Sequence, residues 1–495
     1  MMQTQARFNL RKSKPFLLVL FFALTFFIST WRSPAAASTA KHYTDLTFPP
    51  LPEIQLPEYT RYQLDNGIIV YLMEDRELPL VGGTALFRTG SRYEPEDKVG
   101  LAGLTGGVMR SGGTTIHPAS KLNQILEQKA ASVETGIGTT SGRVGFSALS
   151  EDLENVFGLF AEVIQNPTFD PQKLELAKTQ EKGGIARRND SPERIAGREF
   201  QKLIYGEDSP YARTVEYETL NNIQREDLVE FYQQYFHPEN MILGIVGDFQ
   251  TSQMKALIDE RFGQWNPTNT AEIPPEPNAT QAHQGGMYFI SQPQLTQSYI
   301  EMGHLGGERN NPDYPELSVL NGVLNGFGGR LFNQIRSDRG LAYTVYGVWS
   351  ANYDYPGVFI AGGQTRSDAT VDFLKAMRVE LEKVRSEPVK SEELSYAKDS
   401  TLNSFIFNFA SPDQTLSRVM LYEYYGYPKD FIFDYQRQVE AATVEDIQRV
   451  AQKYLKPDEM VTLVVGNETA IQPPLTSLDQ DMKITAIDIS IPEPS

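Results

Sequence analysis

The chain has 495 residues, of which 40% are hydrophobic and 22% are charged, a composition typical of a soluble globular protein with two or more domains. Its formal net charge of −18 excludes a protein that binds nucleic acid through an excess of Lys and Arg. The absence of cysteine excludes disulfides, a thiolate nucleophile and a thiolate metal site.

Residues 1–37 have the pattern of a secretory signal peptide. Basic residues between positions 7 and 14 precede an uncharged apolar run over 15–31, and small residues follow up to Ala37. Because this segment carries five Lys or Arg and no Asp or Glu, cleavage after Ala37 would leave a net charge near −23. The alternative is an uncleaved membrane anchor, for which the apolar run is at the short limit. The pattern predicts export to the periplasm or another extracytoplasmic compartment.

Four segments follow in chain order. Residues 47–57 are rich in proline and predict an extended lead-in. Apolar runs on both sides of Asn66-Gly67 predict a β-hairpin over residues 62–71. Residues 100–107, GLAGLTGG, place apolar side chains at helical spacing but include four glycines, each of which costs about 1 kcal/mol in a helix interior. The polar stretch 266–285, rich in Pro, Asn and Thr, predicts a linker.

The two parts of the chain on either side of this linker repeat each other. The matched pairs, each 219 residues apart, include Glu226/Glu445, Tyr235/Tyr454, Pro238/Pro457 and Met241/Met460. A fixed offset over separate segments indicates a duplicated unit. In each copy a helix (226–235, 445–454) ends before proline and a strand follows, and longer helices are predicted earlier, over 151–164 and 369–384. This order predicts an α+β fold, each unit a mainly antiparallel sheet with helices packed on one face.

Familiar catalytic motifs are absent from the sequence. The five histidines are His42, His117, His237, His283 and His304, and the closest two are 21 residues apart. No two of them can share a helix face, so there is no local histidine-based zinc motif. A nucleophilic G-x-S-x-G turn is also missing. We interpret the histidines as surface or structural residues.

One polar pair is distinctive in the second copy. Residues 328–347 predict an amphipathic helix, a turn at Arg339-Gly340 and a strand. The turn can bring Arg336 close to Tyr343, and a guanidinium with a phenol can donate hydrogen bonds to a carbonyl without a metal. In the alternative interpretation, which the local sequence alone favours, Arg336 caps its helix and Tyr343 packs in the core.

The duplicated chain with this pair resembles the pitrilysin/insulinase-type metallopeptidases, which carry the inverted zinc motif H-x-x-E-H. The resemblance covers residues 58–470, and its most specific segment, 336–343, is similar to the R-x-x-x-x-x-x-Y pair of that family. It implies two homologous units joined by a linker as a clamshell, with Arg336 and Tyr343 binding the substrate carbonyl. The implied organisation is a signal peptide (1–37), an N-terminal peptidase-like unit (58–265), a linker (266–285), a C-terminal peptidase-like unit (286–470) and a C-terminal tail (471–495).

The zinc-binding positions of that family correspond to glycine in this chain. The resemblance places the two histidines on Gly103 and Gly107, the general base on Gly106 and the third ligand on Gly184. Glycine provides neither a ligand atom nor a base, and a nearby carboxylate such as Glu181 does not replace the missing set. We therefore expect no metal, no other cofactor and no catalytic residue in this chain. We also expect the glycines to mark a close backbone approach or a loosened helix.

Two functions remain open. In the first, which retention of the Arg/Tyr pair favours, the chain is the non-catalytic, peptide-binding subunit of a heteromeric zinc peptidase. A homologous partner then supplies the zinc and the base, and Arg336 and Tyr343 bind the substrate carbonyl. In the second, the chain is a stand-alone peptide-binding or scaffold protein of the cell envelope, derived from the same family. An active peptidase with a displaced site is a third, weaker interpretation.

Overall fold

The computed structural model describes residues 57–267 and 273–493, which belong to one compact unit. The predicted signal peptide, nearly all of the predicted lead-in and residues 268–272 of the predicted linker lie outside the described residues. In the part of the chain that is described, no helix is long and apolar enough to cross a membrane.

The first copy is a six-stranded sheet with helices packed on it. Its strands are β1 (Thr60–Gln63), β2 (Ile69–Glu74), β3 (Leu80–Phe87), β4 (Ser132–Ile137), β5 (Gly142–Leu149) and β6 (Met241–Gly247). Its helices are α1 (Leu101–Ser111), α2 (Ala119–Gln128), α3 (Leu153–Gln165), α4 (Pro171–Ala186), α5 (Pro192–Tyr205), α6 (Tyr217–Asn222), α7 (Arg225–Tyr235) and α8 (Thr251–Phe262). The strand order is β1-β2-β6-β3-β5-β4, and only β2 and β6 run parallel.

The second copy has a sheet of the same size. Its strands are β7 (Met287–Ser291), β8 (Gln297–Leu305), β10 (Ala342–Trp349), β12 (Val358–Arg366), β13 (Val461–Gly466) and β14 (Ile484–Ala486), and β9 (Gly307–Glu308) pairs separately with β11 (Ala351–Asn352). Its helices are α9 (Tyr314–Leu324), α10 (Thr370–Ser386), α11 (Ser391–Phe405), α12 (Pro412–Tyr425), α13 (Phe431–Ala441) and α14 (Val444–Tyr454). The strand order is β10-β12-β8-β13-β7-β14. The predicted α+β class and the duplication are confirmed.

The predicted hairpin is confirmed by the antiparallel pair β1 and β2, in which Gln63 pairs with Ile69. The turn needs glycine at Gly67, whose φ of +99° lies in the left-handed region. The four predicted helices are also found, as α3, α7, α10 and α14. Each lies within two residues of the predicted bounds because apolar periodicity fixes the face that each helix buries.

The predicted C-terminal tail is part of the second sheet. Strand β14 pairs in parallel with β7 and takes the outer position that β1 has in the first sheet. Ile471 and Leu475 are buried in the core of the second copy, and Asn189 donates a 2.6 Å hydrogen bond to the carbonyl of Ile489. The described residues of 471–493 therefore belong to the fold.

Each copy lends one helix to the sheet of the other copy. Helix α5 packs on β8 and β13, and α12 packs on β6 and β2. The two helices start alike, with a serine that caps the helix followed by proline, at Ser191-Pro192 and Ser411-Pro412. Each sheet is thus covered by its own helices on one face and by a helix of the other copy on the opposite face.

Candidate functional site: the Arg336–Tyr343 pair and the glycine helix

Helix α1 carries three of the four glycines that the resemblance places at zinc-site positions, and they differ in their surroundings. A Cβ on Gly106 would lie 2.6 Å from the backbone nitrogen of Ile137 in β4. The Thr135 hydroxyl donates a 2.6 Å hydrogen bond to the Gly106 carbonyl, which fixes the same approach. In contrast, a Cβ on Gly103 or Gly107 would meet no atom within 4 Å. The close approach, one of the two expected explanations, is therefore found at Gly106 and not at Gly103 or Gly107.

The fourth glycine, Gly184, lies on α4, which packs against α1. A Cβ there would also meet no atom within 4 Å. Across the described residues, no three or more His, Cys, Asp or Glu side chains are grouped so that they could hold a metal ion. The helices that would carry the family's ligands are thus present and packed together, but these positions offer no ligand atoms.

The described histidines have separate surroundings. His117 lies against Glu162, with Nδ1 2.9 Å from a carboxylate oxygen. His304 is buried and accepts a 3.2 Å hydrogen bond from the Lys456 backbone at Nε2, while Nδ1 lies 2.8 Å from the Leu305 carbonyl. His237 is 5% exposed, and burial lowers its pKa. These contacts fit the structural roles expected of the histidines.

Arg336 lies in a π-helix, Phe332–Ser337, where the sequence predicts an ordinary amphipathic helix. The backbone nitrogen of Asp338 donates to the carbonyl of Asn333, five residues earlier, at 2.9 Å. The apolar side is buried at Leu331 and Ile335, as the pattern predicts. A π-helix inserts one extra residue into a turn, so it changes where the next side chains point.

Tyr343 lies in a β-bulge at the start of β10. Ala342 pairs with Thr365 of β12 and Thr344 pairs with the adjacent Gln364, so Tyr343 has no partner residue on β12. Its side chain is 76% exposed. The bulge turns this residue out of the sheet, so Tyr343 is not a core residue as the alternative interpretation had it.

The structure brings Arg336 and Tyr343 together. The guanidinium carbon of Arg336 lies 4.6 Å from the centre of the Tyr343 ring and 4.7 Å from the centre of the Phe332 ring. The centres of the Phe332 and Phe327 rings lie 5.0 Å apart, and Phe327 is 80% exposed. Arg336 forms no ion pair with a carboxylate of the described residues. Its N–H groups and the Tyr343 hydroxyl are therefore available to an acceptor from outside the chain.

A cavity of about 990 Å³ lies on the face of the first sheet that α12 partly covers. Its lining includes Gly82-Gly83 of β3, Gly136 of the edge strand β4 and Gly145 of β5, together with side chains such as those of Glu134 and Arg143 and the start of α12 at Ser411–Asp413. The glycines leave exposed backbone and space along the sheet for an extended chain. The sequence analysis missed this cavity. Of the paired glycines in β3, Gly82 marks an open position, whereas a Cβ on Gly83 would lie 2.4 Å from the Phe146 ring of the core.

Two copies of one α+β unit, with an Arg/Tyr pair on the second and three glycines in helix α1 of the first, define a duplicated peptidase-like chain whose described residues include no metal-binding group. Residues 84–209 match the family described as Insulinase (Peptidase family M16), and residues 222–401 match Peptidase M16 inactive domain. Together the matches cover more than half of the chain. The chain belongs to peptidase family M16, as a non-catalytic member.

Two bacterial relatives illustrate the range of this family. An uncharacterized zinc protease, YmxG, from Bacillus subtilis is 23% identical over 360 residues, 72% of this chain and 86% of that protein. A non-peptidase homolog, also YmxG, from Helicobacter pylori is 21% identical over 421 residues, 84% of this chain and 96% of that protein.

Solved structures share the fold. A peptidase M16 inactive domain from Pseudomonas fluorescens has a TM-score of 0.75 at 25% identity, over 84% of this chain and 100% of that chain. The periplasmic protease PqqL from Escherichia coli has a TM-score of 0.71 at 15% identity, over 91% of this chain but 50% of that chain. The PqqL chain is thus about twice as long as the part that matches.

Proposed function

We propose that this chain is the non-catalytic, peptide-binding subunit of a two-chain zinc peptidase. The partner is a homologous chain that carries the H-x-x-E-H motif and supplies the zinc and the general base. This chain supplies Arg336 and Tyr343, whose N–H and O–H groups bind the carbonyl of the bond to be cleaved. The observation that carries the proposal is the exposed contact between the Arg336 guanidinium and the Tyr343 ring.

The chemistry of amide hydrolysis explains why such a pair is useful. When water adds to a peptide carbonyl, negative charge develops on the carbonyl oxygen, and two positioned donors stabilise that charge. The contact of the Arg336 guanidinium with two rings limits its motion. Loss of one donor of this kind typically lowers kcat by about 10²–10³-fold.

The surroundings of the first sheet support peptide binding. An extended peptide adds to a sheet by pairing with an edge strand, and β4 is an edge strand whose Gly136 also lines the 990 Å³ cavity. Backbone groups of the edge strand can pair with a peptide main chain, while side chains such as those of Glu134 and Arg143 also line the cavity. We infer from this arrangement that the subunit binds extended peptides.

Two further points support the proposal, one for a second chain and one for export. The matched fold makes up half of the PqqL chain, so a protein of that length has room for two such units. The pattern of residues 1–37 is that of a signal peptide, and we propose that the mature protein works in the periplasm or another extracytoplasmic compartment. Membrane attachment would arise only from an uncleaved signal segment.

The test is reconstitution from the native envelope. We would purify the tagged full-length chain from envelope extract and identify co-purifying chains by mass spectrometry. Cleavage of quenched fluorescent peptides would then be measured with the partner alone and with both chains. We expect a homologous chain with H-x-x-E-H, and cleavage that requires both chains. Capture of no such homologue, or full cleavage by the partner alone, would favour the scaffold function instead.

The role of the pair is tested in the reconstituted complex. We expect Arg336→Ala and Tyr343→Phe to lower kcat by about 10²–10³-fold without weakening association of the two chains. Arg339→Ala, which removes an exposed arginine three residues away, and Tyr396→Phe, which alters another partly exposed tyrosine, are matched controls with expected changes below about twofold. If both pair variants cleaved the peptide as fast as the native complex, the proposed role of Arg336 and Tyr343 would be wrong.

A further inference from the structure

A second cavity, of about 650 Å³, lies in the second copy and shares no lining residue with the 990 Å³ cavity. Four of the twelve methionines of the chain line it, namely Met287, Met302, Met460 and Met482. We call it the methionine cavity. None of its lining residues belongs to the Arg336–Tyr343 pair, so the proposed function leaves this cavity unexplained.

Strand register explains why the methionines face one space. Thr462 of β13 pairs with Met287 of β7 on one side and with Met302 of β8 on the other, so the three side chains lie on the same face of the sheet. Met460 precedes Thr462 by two residues and therefore shares that face. Met482 precedes β14, which is paired with the strand of Met287.

The duplicated fold supplies an internal comparison. The position of Thr462 corresponds to Leu243, which pairs with Val70 and Ala85 where the second copy has Met287 and Met302. Val70, Leu243 and Ala85 have exposures of 0% and belong to the core of the first copy, and they do not line either cavity described here. Long, flexible thioether side chains beside a cavity are thus a feature of the second copy and are not imposed by the fold.

The rim of the methionine cavity carries two basic residues without partners. Arg378 on α10 and Lys483, next to Met482, are exposed, and neither forms an ion pair or side-chain hydrogen bond with a described residue. Two acidic residues also lie at the rim. Glu382 is paired with Arg385 at 2.6 Å, whereas Asp458 forms no ion pair with a described residue. Arg378 and Lys483 therefore place two positive charges at the opening of the cavity.

We propose that the methionine cavity binds the apolar part of an amphipathic anion. An unbranched apolar chain packs among the four thioether side chains, and a terminal carboxylate lies between Arg378 and Lys483. Methionine suits this task because its three rotatable bonds let it adapt to ligands of different shape. A volume of about 650 Å³ lies within the range of sites for small ligands. The same chemistry is offered by a free fatty acid and by a peptide with an apolar C-terminus.

The cations at the rim favour this ligand over a soft metal ion. Thioethers are good ligands for Cu(I), so four methionines around one cavity suggest that alternative. A metal cation placed next to Arg378 and Lys483 would be repelled, whereas a carboxylate would be attracted. A metal ion and a carboxylate require opposite charges at the rim, so one experiment can distinguish them.

The experiment uses the purified full-length chain labelled with ¹³C at the methionine methyl groups, observed by NMR. Laurate is added below its micellar concentration, and single Met→Leu variants assign the signals. We expect saturable shifts of Met287, Met302, Met460 and Met482, and unchanged signals from buried Met254 of the first copy. Dodecyltrimethylammonium, which has the same chain length with a cation, should bind about tenfold more weakly, and so should laurate to Arg378→Gln/Lys483→Gln. Both changes are at exposed residues, and an unchanged Tm would verify that the variant is folded.

Other outcomes would overturn the proposal. Equal binding of laurate and the trimethylammonium compound would show a cavity without charge selectivity. Shifts in the cavity signals on addition of Ag(I), lost in Met→Leu variants, with no response to laurate, would show a soft-metal site. A peptide with an apolar C-terminus and a free carboxylate, compared with its amide, separates a peptide ligand from a fatty acid. Failure of these ligands leaves the proposed peptidase function untouched, because that assay depends on Arg336 and Tyr343.

Discussion

The Tyr346 hydroxyl donates a 2.8 Å hydrogen bond to one carboxylate oxygen of Glu301, and the second oxygen of Glu301 is buried with no partner among the described residues. The two residues lie on β10 and β8, on opposite sides of Gly362 in β12. A Cβ on Gly362 would lie 2.0 Å from the Ile300 carbonyl oxygen and 3.2 Å from that second oxygen, so a side chain here would clash with the β8 backbone and crowd the carboxyl group. Burial raises the pKa of Glu301 to about 7.

This raised pKa predicts a pH dependence of stability. The folded chain keeps a proton on Glu301 up to about pH 7, whereas the unfolded chain releases it above about pH 4.5. The stabilising contribution is therefore fully present below about pH 4.5 and is lost as the pH rises to about 7. The loss is about 1.4 kcal/mol per pH unit within that window. Urea unfolding between pH 4.5 and 8 should show this slope in the native chain and a flatter profile in Glu301→Gln.

The control for Glu301 is Tyr346→Phe. It removes the hydrogen bond that favours the charged carboxylate, so it should keep or raise the pKa of Glu301 and preserve the slope. Parallel pH profiles of the native chain and Glu301→Gln would rule out this carboxyl group as the cause.

The buried His237 should make stability depend on pH in the opposite direction, with the loss of stability at acidic pH. Both of its ring nitrogens are buried without partners in the described structure, and burial lowers its pKa. The folded chain holds it neutral, whereas the unfolded chain takes up a proton below about pH 6.5. Stability is therefore lost as the pH falls through this range. We expect His237→Leu to reduce the loss of stability on going from pH 7 to pH 5.

His304 is a second case for comparison, because burial lowers its pKa as well. It is also buried, but hydrogen-bonding groups lie at both of its ring nitrogens. His304→Leu would leave the carbonyl of Leu305 and the backbone N–H of Lys456 without these contacts, and it should lower the free energy of unfolding by about 1–3 kcal/mol at neutral pH. Equal acid sensitivity of His237→Leu and the native chain would contradict the assignment to His237.

The glycines of α1 should respond to alanine in opposite ways. Gly103→Ala and Gly107→Ala add a methyl group in open space, so each should raise the free energy of unfolding by about 0.5–1 kcal/mol. Gly106→Ala places the methyl group against the backbone of β4 and should lower it by about 1–3 kcal/mol. Thermal and urea unfolding of the three variants check this ranking. If Gly106→Ala were as stabilising as the other two, the described approach of α1 to β4 would be incorrect.

Sequence patterns were sufficient for the features that depend on local periodicity or on repetition. The hairpin at Asn66-Gly67 follows from turn chemistry, and helices such as α7 and α14 follow from apolar spacing and a proline at the end. The duplication was visible because both copies kept the same offset. These signals lie within short segments, so they do not require knowledge of the packing.

Features that depend on distant contacts were not predictable from the chain. The π-helix around Arg336 and the bulge at Tyr343 insert extra residues that leave no mark in apolar spacing. The approach of Gly106 to Ile137 depends on how α1 packs against an edge strand. The contribution of β14 depends on a strand pairing across almost 200 residues of chain.

Because α5 and α12 each pack on the sheet of the other copy, they determine whether the two copies can be separated into stable fragments. A fragment ending in the linker would carry α5 with its apolar side, including Ile195 and Phe200, and no sheet beneath it. It would also lack α12, and the face of β2 and β6 that Leu416 and Met420 cover would be bare. Neither copy alone covers both faces of its sheet, so we expect the tandem to be the smallest unit that folds autonomously. Truncation or gene fusion must therefore keep both copies in one piece, even though the sequence reads as two similar halves.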